Sequence, residues 1–108
     1  MVTSNYDSTS HTLTFLFSGS MDTIQSAAHA GAVSAALDKA AAKTAAPDNP
    51  LRAVFDLKDV NYVSSAFFRI CLGTAKQVRQ GNFRITNAQP AITQLFKIAG
   101  MDEFLAAL

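Results

Sequence analysis

Asp56 to Leu72 reads DLKDVNYVSSAFFRICL, and the fold turns on how this stretch is divided. The apolar run Arg52–Leu57 (RAVFDL) leads into it, bounded upstream by Pro50. Such a run suits a strand buried on both faces. Lys58-Asp59 is expected to turn the chain, with Asp56 closing the strand. Val60 and Val63 then flank Asn61-Tyr62. Ser64-Ser65 open a helix predicted to run to about Gln80, where Gly81 would stop it. Phe68, Cys71 or Leu72, Ala75 and Val78 recur at helical spacing and form the expected core stripe. Phe67 lies one residue round, about 100° away. It is expected to point off that stripe, beside Ser65, either folded under a neighbouring loop or exposed as an aromatic anchor for a partner.

The flanking sequence supplies the remaining elements. Upstream, Val2–Tyr6 and His11–Phe17 read as strands. Asp7-Ser8-Thr9-Ser10 between them has turn chemistry, so the pair predicts an antiparallel hairpin. Ser18-Gly19-Ser20 breaks the strand pattern. A helix follows from Asp22, rich in alanine: eleven of the twenty residues from Ala27 to Ala46 are alanine. Alanine has the highest helix propensity. Ile24, Ala28, Gly31 or Ala32, Ala35 and Ala42 mark its expected buried face. Pro47, Asn49 and Pro50 end it. Downstream, Phe83–Thr86 is a short strand and Pro90 suits a first helical position. Ile92, Leu95, Phe96 and Ala99 form a third stripe, and Gly100 fits a helix C-terminus. Asp102–Leu108 can add a short helix or turn. The order β, β, α, β, α, β, α predicts a mostly parallel or mixed sheet with helices packed on it.

Composition narrows the function. One domain spanning residues 1–108 is expected. A chain of this length buries roughly two thirds of its unfolded surface on folding. It is 49% hydrophobic and 16% charged, which is not a disordered composition. A net charge of +1 gives no basic footprint for nucleic acid. The single cysteine, Cys71, forms no internal bridge, and with only His11 and His29 beside it a zinc site is hard to assemble. No apolar run approaches the ~20 residues of a membrane span. The opening MVTSNYDSTS lacks an export pattern, so a cytoplasmic location without membrane insertion is expected. No cofactor is expected, because the glycines at 19, 31, 73, 81 and 100 are isolated and form no phosphate loop.

The central stretch resembles STAS domains, the family of bacterial anti-sigma factor antagonists. That family carries a segment like D-L-S-x-V-x-x-I-D-S-S-G-L, with a variant Y-I-S-S-A-G-L-R. Here Asp56-Leu57, Val60 and Tyr62-Val63-Ser64-Ser65-Ala66-Phe67-Phe68-Arg69 stand at matching spacing. Gly19 and Asp22 fit a family G-x-L-D pattern. Pro90–Phe104 (PAITQLFKIAGMDEF) looks like the closing helix and its G-L/M-D-x-F signature. The resemblance extends along almost the whole chain. It implies a small single-domain α/β sandwich: a mixed four-to-five-stranded sheet, an opening hairpin followed by parallel strands, covered by about three to four helices.

The resemblance also implies a partner, an anti-sigma factor that doubles as a serine kinase, and a phosphatase that resets the switch. It puts the phosphorylated serine at Ser65, with Ser64 where many members carry aspartate. Family glycine and leucine are replaced by Phe67 and Phe68. A helix N-terminus with unpaired N–H groups stabilises a phosphate. Serine is also a preferred helix cap. Asp22 and Asp56 are candidate neighbours of Ser65, since loops gather at the C-terminal ends of parallel strands. Asp22 equally suits a helix start, and Asp56 a turn. Arg69 lies one helical turn from Ser65. Ser64, Ser65, Phe67, Asp22, Asp56 and Arg69 are thus the candidate partner surface.

Catalysis is not expected. The chain lacks a G-x-S-x-G turn, and its histidines are far from Ser65 in sequence. The alternative is a non-switched STAS-type subunit docking on a transporter ATPase, which a bulky Phe67 beside Ser65 would favour. A small-ligand sensor would need a cavity.

Overall fold

The computed structural model describes residues 2–7, 9–43, 51–78 and 82–105. The elements follow the expected order. β1 (Val2–Asp7) and β2 (Thr12–Met21) precede α1 (Thr23–Lys43); β3 (Arg52–Val63) precedes α2 (Ser65–Val78). β4 (Phe83–Thr86), α3 (Pro90–Ile98) and a 3-10 turn (Asp102–Phe104) complete the chain. The sheet order is β1-β2-β3-β4. β1 pairs antiparallel with β2, while β2–β3 and β3–β4 are parallel. The fold is therefore the expected small α/β domain with a mixed four-stranded sheet and three helices.

The hairpin forms for the expected reason. The Asp7 carboxylate accepts the amides of Thr9 and Ser10 at 2.9 and 3.4 Å. His11 belongs to the turn, at φ 54°, and not to the strand. Leu13, Phe15 and Phe17 alternate onto the buried face of β2. Phe55 of β3 meets Phe15 and Phe17 edge-on at 5.5 and 4.8 Å. Phe83 of β4 joins Phe55 at 4.8 Å. Consecutive parallel strands laid side by side through right-handed crossovers place their helices on one face. The opposite face carries the half-exposed or exposed Thr14, Leu16, Val54, Asp56 and Arg84.

Two expected breaks are not breaks. Ser18-Gly19-Ser20 stays in β2 and Lys58-Asp59 stays in β3. Register shifts between Leu16 and Ser18, and between Gly19 and Ser20, absorb the irregular residues. A bulge keeps the ladder running by leaving a residue unpaired. Gly19 supplies the positive φ, 88°, that this irregularity needs. The β2–β3 ribbon thus runs on to the Met21–Val63 pair, past the end of β4.

The helix faces also differ from expectation. On α1 the buried residues are Ser26, Val33, Leu37 and Ala40, while Ile24 is 77% exposed. Alanine on every side of a helix gives no amphipathic signal to set its rotation. On α2 the buried stripe is Phe67, Cys71, Thr74, Ala75 and Val78. Leu72 is exposed. α3 matches expectation in part: Pro90 opens it and Ile92 and Phe96 are buried, but Leu95 is half-buried and Ala99, expected on the stripe, is exposed. It ends as a Schellman turn, with Met101 N–H on the Phe96 carbonyl at 2.8 Å and Gly100 N–H on Lys97 at 3.1 Å. Gly100 has φ 74°, which only glycine adopts cheaply. The expected stops at Pro47–Pro50 and Gly81 lie outside the described residues. No helix among the described residues is long and apolar enough to cross a membrane.

Candidate functional site

α1 and α2 both start where the β2–β3 ribbon ends. Met21 and Val63 are register partners. The next amide, that of Ser64, donates to the Met21 carbonyl at 2.9 Å. Two helix N-termini are therefore held side by side, with their partial positive charges adjacent. Asp22 caps α1: its carboxylate accepts the Gln25 amide at 2.8 Å, and its carbonyl accepts Ser26 at 2.8 Å.

α2 starts differently. The Ser64 carbonyl accepts the amides of Phe67 and Phe68 at 3.0 and 3.2 Å. The Ser64 side chain is 8% exposed and its Oγ has no hydrogen-bond partner. Ser65 is exposed and its hydroxyl bonds to no described residue. Neither serine makes the side-chain cap that its residue type favours. No acidic residue stands in the first turn either. The amides of Ser65 and Ala66 have no acceptor among the described residues. This helix end therefore presents free donors and a hydroxyl to solvent, the arrangement that stabilises an anion.

Phe67 corrects the sequence expectation. It is fully buried, with its ring edge-on to Phe17 at 5.2 Å and tilted on Phe55 at 6.0 Å. It cannot serve as an exposed anchor. Phe68 is half-buried and meets Phe96 of α3 edge-on at 5.0 Å. Two adjacent phenylalanines fit because α2 is flanked by the sheet on one side and α3 on the other. The ring under the sheet is the one in phase with Cys71 and Val78.

Asp56 is a second correction. It lies within β3, not at its end, opposite Leu16 and Thr86. Val63 lies seven positions further along the strand, a distance on the order of 20 Å. Its carboxylate accepts the Lys58 amide at 3.0 Å and the Asn87 side-chain amide at 3.2 Å. Asp56 organises its own bulge and the β4–α3 connection; it is not a neighbour of Ser65. Arg69 is exposed on α2, one turn after Ser65, as expected.

The structure adds two residues that sequence reasoning missed. Tyr62 is 49% exposed and pairs in register with Ser20, at the same end of the ribbon as Ser65. Ile24 sits in the first turn of α1. In sequence Ile24 is placed on the expected buried face of α1 and Tyr62 stands only as a motif residue, so nothing marked them as surface residues. The Met21–Val63 end of the ribbon and the two helix starts thus carry Asp22, Ile24, Tyr62, Ser64 and Ser65. Cys71 lies one turn and a half below, fully buried, its thiol pushed well above its ordinary pKa by burial. Among the described residues no group of His, Cys, Asp or Glu could hold a metal ion.

A family model for the STAS domain matches residues 4–107. No curated protein sequence is significantly similar to the chain. Among solved structures, an anti-sigma-factor antagonist (STAS) domain protein from Planctomyces limnophilus superimposes with TM-score 0.76 at 14% identity. That match covers 96% of this chain and 85% of the other. The anti-sigma factor antagonist SpoIIAA in its unphosphorylated form gives TM-score 0.72 at 13% identity, covering 98% and 86%. The Bacillus cell fate determinant SpoIIAA in its phosphorylated form gives 0.64 at 13% identity, covering 98% and 89%.

Proposed function

The chain belongs to the STAS domain family, and from that premise we propose that it is an anti-sigma factor antagonist switched by phosphorylation of Ser65. It acts by binding and not by catalysis, in the cytoplasm. Its partner is an anti-sigma factor that is also a serine kinase, and a phosphatase restores the binding state.

One observation carries this reading: Ser65 is an exposed hydroxyl at an uncapped helix N-terminus. A phosphate there adds about −1.5 to −2 charges among free amide donors. The modification is tolerated by the fold, because the helix end stabilises the charge. It is not tolerated by an interface built around a neutral hydroxyl. Ile24 and Tyr62 supply the apolar contacts of that interface, and Asp22 and Arg69 its charged rim. The inward turn of Phe67 removes the obstruction that favoured a non-switched subunit on a transporter ATPase, and the phosphoswitch is therefore the better reading.

The test combines the chain with a serine kinase encoded beside it and ATP. Stoichiometric labelling that survives Ser64→Ala and vanishes in Ser65→Ala is expected. Ser65→Asp should weaken kinase binding at least about tenfold, since one misplaced interfacial charge costs several kcal/mol. Labelling and affinity both indifferent to Ser65 would refute the proposal.

A further inference from the structure

A cavity of ≈ 390 Å³ runs between α1 and α2 and opens at the surface. Its walls are unusual for a helix pair. Ala27, Ala30 and Ser34 line the α1 side, and Gly73 faces them from α2. Small residues normally let helices approach closely. Here they leave space: a Cβ added at Gly73 would meet nothing within 4 Å. Ala27 and Ala30 of α1, with Ser34, thus border a groove instead of a tight contact.

The groove is apolar in effect. Its buried hydroxyls are already satisfied by backbone. Ser26 Oγ donates to the Met21 carbonyl at 3.2 Å, and Thr74 Oγ1 to the Ile70 carbonyl at 2.8 Å. The rest of the lining is mainly Ala, Val, Leu, Ile and Gly, surface that an alkyl chain covers favourably. The two ends differ. At the C-terminal end the Gln77 side-chain amide donates to Asp38 at 2.8 Å and bridges the helices. Towards the N-terminal end, one turn after Ala66, stands Arg69, exposed and without a carboxylate partner among the described residues. Among the described residues, Arg69 is also the only charged one lining the groove. From Arg69 to Gln77 is ~12 Å along the helix, the length of about eight to ten methylenes.

We propose that this groove binds a medium-chain alkyl carboxylate, its chain between α1 and α2 and its carboxylate on the Arg69 guanidinium. The charge at one end sets the sign of the head group, and a planar guanidinium matches a carboxylate by two parallel hydrogen bonds. The length and apolar lining of the groove set the tail. Binding is independent of the Ser65 reading. If that reading holds, the ligand head lies one helical turn from Ser65 and couples the groove to partner binding.

Titration calorimetry of the whole chain with decanoate, below its micelle concentration, tests the proposal. Saturable 1:1 binding is expected, weakening about fourfold for each methylene removed towards octanoate. Arg69→Gln should weaken decanoate about tenfold while leaving decanol unchanged, because only the charged head is lost. Gly73→Leu fills the groove and should abolish binding of both. Leucine is the better helix former, so the urea midpoint of this variant should not fall, which separates filling from unfolding. Ala30→Leu should act likewise from the opposite wall. The absence of saturable binding up to about 1 mM, or decanoate binding indifferent to both Arg69→Gln and Gly73→Leu, would overturn the proposal.

Discussion

Replacing Phe67 with alanine separates two roles that its position beside Ser65 had left open. A surface anchor can be truncated at little cost to stability, within about 0.5 kcal/mol. A core ring cannot. Phe67 is fully buried and touches Phe17 and Phe55. A buried phenylalanine removes roughly 150–250 Å² from water. At ~25 cal/mol per Å² that is about 4–6 kcal/mol, of which the remaining alanine keeps a part. The cavity left behind adds to the loss, and the usual range for Phe→Ala in a core is about 3–5 kcal/mol. Against a typical total of about 5–15 kcal/mol this is a large fraction. Urea unfolding followed by circular dichroism reads it directly. With a slope of about 2 kcal/mol per M, the midpoint should fall by roughly 2 M. Ile24→Ala is the matched control, because Ile24 is exposed at the same end of the molecule; its midpoint should hardly move. A Phe67→Ala loss below about 1 kcal/mol would refute the placement of this ring and return it to the surface.

Three further outcomes follow from individual residues. Gly31→Ala, in α1 where an added Cβ meets nothing within 4 Å, should stabilise the protein by up to about 1 kcal/mol in urea unfolding; a loss of stability would contradict that open environment. The Cys71 thiol, buried and held in its neutral form, should resist a thiol reagent in the native protein and react at once in denaturant; fast native labelling would place it elsewhere. Burial lowers the pKa of His29, whose Nε2 is enclosed without a partner and whose ring stands 6.5 Å from Phe17. The unfolded chain therefore binds this proton more readily than the folded one, so His29's share of stability is complete above about pH 6.5 and declines as pH falls through the window down to the lowered folded value. Urea midpoints at neutral and mildly acidic pH should show a smaller drop for His29→Phe than for the parent chain, and equal drops would exclude His29 as a source.

The elements were legible because each is written in local chemistry. Asp7 and the residues after it name the hairpin turn, Pro90 and Gly100 bracket α3, and alternation in Leu13, Phe15 and Phe17 fixes the inward face of β2. Interruptions were misread where a distant partner overrides a local preference. Ser18-Gly19-Ser20 looks like a break, yet pairing with β3 carries it through as a bulge. Lys58-Asp59 looks like a turn for the same reason, and this moved Asp56 from the end of a strand to its middle. At the candidate site Ser65 was legible through its motif and its place at a helix start, whereas Tyr62 stood only as a motif residue and Ile24 was placed on the buried face of α1.

Sequence by itself determined the order of elements, the mixed sheet, the helix start at Ser65 and the family resemblance. The element order and the helix start depend on neighbours within a few residues, where propensity, period and turn chemistry act, and the mixed sheet was expected from that order and from the resemblance. Only the tertiary structure decided which of Phe67 and Phe68 faces the sheet, since a helix turns about 100° per residue and either ring extends an apolar stripe. It also decided what the alanines of α1 do. Their propensity explains a helix, but whether small side chains close a gap or leave one depends on what stands opposite, and opposite them stands Gly73.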